Sequence, residues 1–220
     1  NQGKSLNCLS LTMPLKEEAL AIADHVSTIS RQIASGNTLH KKEDGWHLTS
    51  TDVEGFSFAL AGAGNLSTQT VLIIGAGATA RAVAAACNRE ATSITVVGRS
   101  ASRHESIRQS AANSSITFVD WDTNLDLDSF DLVVNTTPAD TAAVFLDRVN
   151  DPQGVFFEVI YNPWPTVLLK KWKQVGGSYV DGLDLLIHQA ISQIEIFSGQ
   201  KLDRLSMAQL LRSEGLKALH

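Results

Sequence analysis

The feature that most constrains this chain is an apolar segment followed directly by a glycine-rich turn and an alanine-rich segment. Residues 71–74 read Val-Leu-Ile-Ile, which is typical of a parallel strand buried on both faces. Residues 75–80 read Gly-Ala-Gly-Ala-Thr-Ala, and the alanine-rich stretch at 78–89 predicts a helix. A strand, a tight turn and a helix in this order predict the first unit of a doubly wound parallel sheet.

The turn has the pattern G-x-G-x-x-A, and each small residue in it has a physical reason. Gly75 permits the tight turn, Gly77 lets the backbone approach a pyrophosphate, and Ala80 keeps the helix close to the strand. The helix N-terminus attracts an anion, because its free N–H groups point outward. We therefore predict a dinucleotide cofactor in contact with Gly75, Ala76, Gly77, Ala78, Thr79 and Ala80. The alternative is a closely packed turn that binds no nucleotide.

The end of the next predicted strand, residues 93–97, indicates which dinucleotide binds. Sites for NAD usually have Asp or Glu here, to hold the ribose 2′-hydroxyl. This chain has Arg99 and Ser100 instead, followed by Arg103. A guanidinium binds the 2′-phosphate that a carboxylate would repel. The sequence therefore favours NADP, although a surface arginine alone would carry little information.

Strands and helices alternate along the rest of the chain. After the segment at 71–74, strands are predicted at 93–97, 116–119, 130–135, 155–160 and 178–180. Helices are predicted at 101–112, 166–175, 183–197 and 206–219. Alternation of this kind is typical of βαβ units that build a parallel sheet.

The residues before this pattern read differently. They predict a strand at 7–12, a helix at 16–26 and a hairpin that turns at Asp44-Gly45. Asp52 follows the hairpin as the expected N-cap of a further helix.

The glycine-rich segment at 62–65 marks a boundary between two predicted lobes. The predicted fold class is α/β, with a Rossmann-type doubly wound parallel sheet and a smaller α/β substrate-binding lobe. The NADP-binding Rossmann domain is predicted at 66–182, and the substrate lobe at 1–65, completed by the helices at 183–220. The active site is expected in the cleft between them, at the carboxyl ends of the parallel strands.

Composition excludes several other classes of protein. Hydrophobic residues make up 44% and charged residues 19%, as in ordinary globular proteins, and the net charge of −5 argues against nucleic acid as a partner. The two cysteines, Cys8 and Cys87, have no metal-ligand spacing, so we expect no metal, no disulfide framework and a cytoplasmic protein. No apolar stretch approaches the roughly 20 residues of a membrane span, so no membrane partner is expected. Monomer and homodimer both stay open.

Seven short motifs stand in order along nearly the whole chain. Three precede the glycine-rich turn: Leu-Thr-Met-Pro-Leu-Lys at 11–16, Ser-Gly-Asn-Thr-Leu at 35–39 and Ser-Thr-Asp-Val-Glu-Gly at 50–55. Four follow it: Arg-Ser at 99–100, Asn-Thr-Thr-Pro at 135–138, Tyr-Asn-Pro-Trp-Pro-Thr at 161–166 and Gly-Leu-Asp-Leu-Leu-Ile-His-Gln-Ala at 182–190. Together they resemble the motifs of the shikimate dehydrogenase family.

From spacing alone, Lys16 could be an exposed lysine, Asn37 a turn residue and Asp52 a helix cap. The resemblance implies functional roles for all three. It implies that Lys16 is the catalytic acid/base and that Asp52 pairs with it and holds a substrate hydroxyl. A carboxylate beside an ammonium favours both charged forms, so such a pair orients a proton donor. The implied substrate contacts are Asn37, Thr38, Thr51, Tyr161 and Gln189. Asn135, Thr136, Thr137 and Gly182 are implied on the cofactor side.

The implied reaction is the reversible reduction of 3-dehydroshikimate to shikimate by NADPH, in aromatic amino acid and chorismate biosynthesis. Two alternatives stay open: a quinate/shikimate dehydrogenase that uses NAD, and a non-catalytic module that binds NADP or shikimate. Family members bind the substrate carboxylate through an S-x-S motif in an N-terminal βα segment, which these residues do not include. Because Asn1 is not a start methionine, we expect further residues upstream.

Overall fold

The computed structural model of the protein describes residues 6–64, 68–88 and 93–219. Within these ranges the smaller of two sheets contains the four strands β1 (Cys8–Ser10), β2 (His25–Val26), β3 (Thr38–Lys42) and β4 (Gly45–Thr49). Their order is β1-β3-β4-β2, and β2 runs parallel to β4 while the other pairs are antiparallel. The accompanying helices are α1 (Leu15–Glu18), continued by a 3-10 turn at Ala19–Ala21, then α2 (Thr28–Gln32) and α3 (Asp52–Ala61).

The larger sheet is parallel throughout. Its strands, in the part of the chain that the structure describes, are β5 (Thr70–Ile74), β6 (Ser93–Val97), β7 (Ser115–Val119), β8 (Leu132–Asn135), β9 (Val155–Glu158) and β10 (Ser178–Val180). Their order is β10-β9-β8-β5-β6-β7, so the chain starts in the middle, moves to one edge and returns to complete the other. This is the doubly wound Rossmann order, and the predicted α/β fold class is confirmed.

Helices cover both faces of the larger sheet. The α-helices are α4 (Ala78–Cys87), α5 (His104–Ser110), α6 (Val167–Gln174), α7 (Gly182–Ser198) and α8 (Arg204–Leu219). Further 3-10 segments lie at Ala101–Arg103, Leu127–Ser129 and Thr141–Arg148. Val71 and Ile73 of β5 lie in one buried cluster, whereas Leu72 and Ile74 lie in another on the opposite face. Continuous apolar sequence in β5 therefore reflects burial on both faces.

Helix α3 joins the two parts of the molecule. Phe56 and Ala59 belong to the buried cluster of the larger sheet, and the Phe56 ring lies 4.5 Å from that of Phe157, centroid to centroid. The helix also packs along α7, so residues before the parallel sheet share its core. The predicted boundary at residues 65 and 66 falls outside the described residues and stays a prediction. Within the described ranges, no helix is long and apolar enough to cross a bilayer.

Two local predictions were wrong. The predicted helix at 16–26 ends as a 3-10 turn at Ala21, and His25–Val26 forms strand β2 because β4 offers it a free edge and Val26 packs into the core of the smaller sheet. Asp52 is not an N-cap: it is the first residue of α3, follows the cap residue Thr51, and uses its carboxylate for other contacts. The short helices α2 and Thr141–Arg148 were not predicted.

Candidate active site

An ion pair between α1 and α3 forms the centre of the candidate site. Lys16 Nζ donates to Asp52 Oδ2 across 2.7 Å, and the two side chains are 16% and 9% exposed. Helices α1 and α3 follow β1 and β4, which both pair antiparallel with the intervening β3. The two strands therefore run in the same direction and deliver both residues to the same end of the smaller sheet. The structure thus brings together the two residues for which the resemblance implies catalysis.

The buried amide of Asn37 fixes the other side of the carboxylate. Its Nδ2 lies 2.9 Å from each of three acceptors, Asp52 Oδ1, Thr51 Oγ1 and Gln189 Oε1, which share its two N–H groups. Its Oδ1 accepts from the Thr51 backbone N–H at 2.9 Å and from Thr38 Oγ1 at 2.7 Å. Asn37 is 1% exposed, so its amide positions the surrounding polar groups inside the protein. With Lys16, six predicted residues therefore belong to a single hydrogen-bonded network.

Gln193 belongs to this network and was missed from the sequence. Its Nε2 donates to the Asn37 backbone carbonyl at 2.9 Å and to Thr38 Oγ1 at 3.0 Å, and its Oε1 accepts from Ser10 Oγ at 3.0 Å. Gln193 stands four residues after Gln189 on α7, and residues four apart share a helix face. The four-residue spacing from Gln189 could therefore have identified Gln193 from the sequence.

The glycine-rich turn between β5 and α4 has the features that a dinucleotide site needs. Gly75 has φ +111°, and a side chain there would overlap that of Thr136, which follows β8. A Cβ atom on Gly77 would meet nothing within 4 Å, so the backbone faces open space at the N-terminus of α4. Ala80 is fully buried against the sheet. An anionic pyrophosphate fits this arrangement of open backbone and helix terminus.

The other turn residues stand beside these. Ala76 packs at the edge of the buried cluster, Ala78 is buried, and Thr79 is half-buried in the first turn of α4. Strands β5 and β8 are neighbours whose onward connections leave toward opposite edges of the sheet. Ligands of doubly wound sheets bind in the crevice at such a switch point.

The side chains after β6 are exposed, as the binding of a cofactor phosphate requires. Arg99 and Ser100 lie on the surface, and the Arg99 guanidinium is 5.9 Å from the centroid of Trp121. Arg103 is also exposed but donates to Glu17 Oε1 at 3.3 Å. The Arg103 guanidinium therefore contacts Glu17, the residue that follows Lys16.

The Asn135 side chain is held by other groups of the protein at the end of β8. It is 1% exposed, and its Nδ2 donates to both oxygens of Glu158, at 3.1 Å and 3.0 Å. Its Oδ1 accepts from the backbone N–H of Thr137 at 3.1 Å and from the hydroxyl at 2.7 Å. The Asn135 side chain thus holds the loop after β8, and contact between it and a cofactor stays a prediction. Thr136 Oγ1 donates to the Ile74 carbonyl at 2.9 Å.

Glu158 is a buried carboxyl for which no role was predicted. It ends β9, is 0% exposed, and also accepts from Thr166 Oγ1 at 2.6 Å and from the Ile160 backbone N–H at 3.1 Å. Burial raises the pKa of Glu158, while these hydrogen bonds oppose the shift. The available signal was a single charged residue at the end of an otherwise apolar strand.

Two further predicted residues, Tyr161 and Gly182, lie between the end of β9 and the start of α7. Tyr161 follows β9 and is 45% exposed. Gly182 is the buried first residue of α7, and a Cβ atom there would lie 2.6 Å from the Val159 carbonyl oxygen. Gly182 is therefore required for the close approach of α7 to the end of β9.

Comparisons with known proteins agree with this geometry. A family model described as shikimate / quinate 5-dehydrogenase matches residues 57–154. The chain is 32% identical over 192 residues to the shikimate dehydrogenase (NADP(+)) of Syntrophobacter fumaroxidans, covering 85% of this chain and 67% of that protein. It superposes with a TM-score of 0.84 on Mycobacterium tuberculosis shikimate dehydrogenase, at 30% identity and over 96% of this chain and 80% of that one. The TM-score is 0.83 with the quinate dehydrogenase of Corynebacterium glutamicum in complex with NAD, at 27% identity and over 95% and 78% of the two chains.

Proposed function

Because the chain belongs to the family of shikimate and quinate 5-dehydrogenases, we propose that it reduces 3-dehydroshikimate reversibly to shikimate with NADPH. The observation that carries the proposal is the Lys16–Asp52 ion pair of 2.7 Å, held by Asn37 at the end of the smaller sheet. Relatives named shikimate dehydrogenase (NADP(+)) support both the substrate and the cofactor.

In this proposal Lys16 is the proton donor. The ammonium gives its proton to the substrate carbonyl oxygen as negative charge develops there, and takes it back in the reverse direction. Asp52 orients the Lys16 ammonium through the 2.7 Å contact, and it accepts a hydrogen bond from a substrate hydroxyl. The proposed substrate contacts are Asn37, Thr38 and Thr51 from the smaller sheet, with Tyr161 and Gln189 from the other side.

The proposed cofactor is NADP, which when bound supplies or accepts the hydride. Residues 75–80 would hold its pyrophosphate through backbone N–H groups at the start of α4. Arg99, Ser100 and Arg103 would bind the 2′-phosphate, for which Arg103 must exchange its contact with Glu17. Asn135, Thr136, Thr137 and Gly182 would border the nicotinamide side.

The wider setting is part of the same proposal. The lobes at 1–65 with 183–220, and at 66–182, would form the two walls of the cleft. The proposed partner is a small-molecule substrate. The protein would act in aromatic amino acid and chorismate biosynthesis, in the cytoplasm, as a monomer or homodimer.

A quinate dehydrogenase that uses NAD is the second candidate, because such a protein shares this fold with a TM-score of 0.83. The exposed arginines after β6 favour the first candidate. The two candidates differ in both substrate and cofactor, so one assay separates them.

The test follows reduction of the nicotinamide with the complete gene product, using shikimate or quinate and NADP or NAD. We expect turnover with shikimate and NADP, and a fall in kcat of about 10²- to 10⁴-fold in Lys16→Ala, with NADP binding retained. Lys41→Ala, on the exposed part of β3, is the matched control and should keep full activity. A wild-type protein that binds NADP but turns over neither substrate would contradict the proposal.

A further inference from the structure

Three histidines and a cysteine lie in one row across the smaller sheet. In the strand register, Cys8 is opposite His40, His40 is opposite His47, and His47 is opposite His25. Directly opposed residues place their side chains on the same face of a sheet. The neighbouring residue Leu39 is buried in the core, so the row lies on the other face.

At the β2 edge of this row, two imidazoles converge on one carboxylate. His47 Nε2 lies 2.7 Å from Asp44 Oδ1, and His25 Nε2 lies 3.2 Å from Asp44 Oδ2. The two rings stack with centroids 4.4 Å apart, and the ligand atoms of all three residues lie within 4.8 Å of one another. Tetrahedral coordination with zinc–ligand bonds of about 2.1 Å places ligand atoms about 3.4 Å apart. Small side-chain movements therefore suffice to bring all three onto one ion.

We propose that His25, Asp44 and His47 bind a transition-metal cation of the zinc class. Two imidazole nitrogens and one carboxylate oxygen suit Zn²⁺, Co²⁺ or Ni²⁺, whereas Mg²⁺ and Ca²⁺ favour ligand sets made of oxygen. The side chains of His25, Asp44 and His47 are 48%, 59% and 22% exposed, so water completes the coordination shell. None of the three residues has a role in the proposed dehydrogenase reaction.

The location indicates what the cation does. Strand β2 is two residues long and lies at the edge of the sheet, paired with β4. A metal that joins His25 on β2 to the β3–β4 hairpin reinforces this short pairing. Asp24 already makes a link at the same point, accepting from the Trp46 backbone N–H at 2.8 Å. The metal should therefore stabilise the folded chain by mass action, without changing its fold.

The test titrates Zn²⁺ into the complete, tag-free protein by calorimetry. The background is Cys8→Ser, because Cys8 is an exposed thiol in the same row and a thiolate is itself a zinc ligand. We expect one saturable site, and weakening by more than about tenfold in Asp44→Asn or His47→Gln, since even outer-shell changes at metal sites cost 10- to 100-fold. His104→Gln is the matched control, because its ring stacks on Phe118 beside the larger sheet.

Thermal unfolding gives a second readout. Zn²⁺ should raise Tm in the Cys8→Ser protein and in the His104→Gln control, but not in Asp44→Asn. Without metal, the Tm of each variant shows whether it is folded, and His25→Gln replaces any variant that is not. Absence of saturable binding, or binding that Asp44→Asn leaves unchanged, would overturn the metal site and leave a hydrogen-bonded His–Asp–His cluster.

Discussion

At the scale of single residues, the geometry of the ion pair depends on a neutral side chain. Asp52 has a donor on each oxygen: Lys16 on Oδ2 and Asn37 on Oδ1. A carboxylate held at both oxygens cannot rotate about its last bond, so the direction from which it holds the ammonium is fixed. Asn37 is itself held by Thr51 and Gln189, which lie on different elements. The amide therefore acts as a positioning residue for the pair.

The preference for one cofactor is also a matter of single side chains. Arg99→Ala should raise the KM for NADP about 10- to 100-fold, because hydrogen bonds to charged groups are worth about 1.5–3 kcal/mol. The KM for NAD, which has no 2′-phosphate, should change little. Steady-state kinetics with both cofactors check this, and Arg108→Ala on α5 is the control. Equal changes in KM for NADP and NAD would show that Arg99 does not bind the 2′-phosphate.

At the scale of elements, the close contact of α3 with α7 delivers residues to the site from opposite ends of the chain. A Cβ atom on Gly55 would lie 2.8 Å from both the Cβ atom and the backbone nitrogen of Gln189. One turn after Gln189 on α7, Ser192 Oγ donates to Oε2 of Glu54, the residue before Gly55, at 2.6 Å. Only glycine at position 55 permits this spacing, which in turn sets the distance from Gln189 to Asn37.

Gly55→Ala should therefore push α7 away from α3. We expect a loss of about 1–3 kcal/mol in the free energy of unfolding, as in other overpacked cores, together with a higher KM for the substrate. Ser57→Ala, on the exposed face of the same helix, should have neither effect. Denaturant unfolding and substrate titration measure the two quantities. A stable variant with an unchanged KM would contradict the role given to this contact.

At the scale of the whole molecule, a buried arginine ties the helix after the glycine-rich turn to the smaller-sheet part. Arg81 on α4 donates to the Ile33 carbonyl at 2.5 Å, the Ala34 carbonyl at 3.2 Å and Glu17 Oε1 at 2.6 Å. Its side chain is 2% exposed. Because Glu17 follows Lys16, this contact links α4 to the segment that carries the proposed proton donor.

Replacing Arg81 should weaken this link in a pH-dependent way. Arg81→Met leaves buried carbonyl groups without their donor, at a cost of roughly 1–3 kcal/mol each. The hydrogen bond from Arg81 lowers the pKa of Glu17 below its ordinary value of 4.5. A lowered carboxyl pKa stabilises the fold above pH 4.5, and this contribution is lost as the pH falls through the folded-state pKa. The difference in unfolding free energy between wild type and variant should therefore shrink in acid.

Denaturant unfolding at several pH values measures that difference. Arg31→Met removes an exposed arginine that donates to the Val26 carbonyl, and it should show no comparable pH dependence. If the unfolding free energies of wild type and Arg81→Met differ by the same amount at all pH values, the link through Glu17 is contradicted.

The local sequence pattern was sufficient to predict most strands of the larger sheet. The strands at Ser93–Val97 and Ser178–Val180 have the predicted bounds, and β5 with its turn and helix follows the expected order. The central strand β5 is predictable because burial on both faces demands continuous apolar sequence, which is a property of the segment itself. His25–Val26 was wrongly predicted as helical because its strand conformation comes from pairing with β4, which lies 22 residues further along, at His47–Leu48.

By itself the sequence determined the α/β class, the glycine-rich turn and, through its resemblance to a family, the choice of Lys16 and Asp52. The tertiary structure alone decided the contacts of Gln193, Glu158 and Arg81, and the meeting of His25 with Asp44 and His47. The physical reason is separation along the chain: Gln193 meets Ser10 across 183 residues, and Arg81 meets Glu17 across 64. Periodicity and motifs describe neighbours in sequence, whereas such contacts exist only once helices and strands have packed.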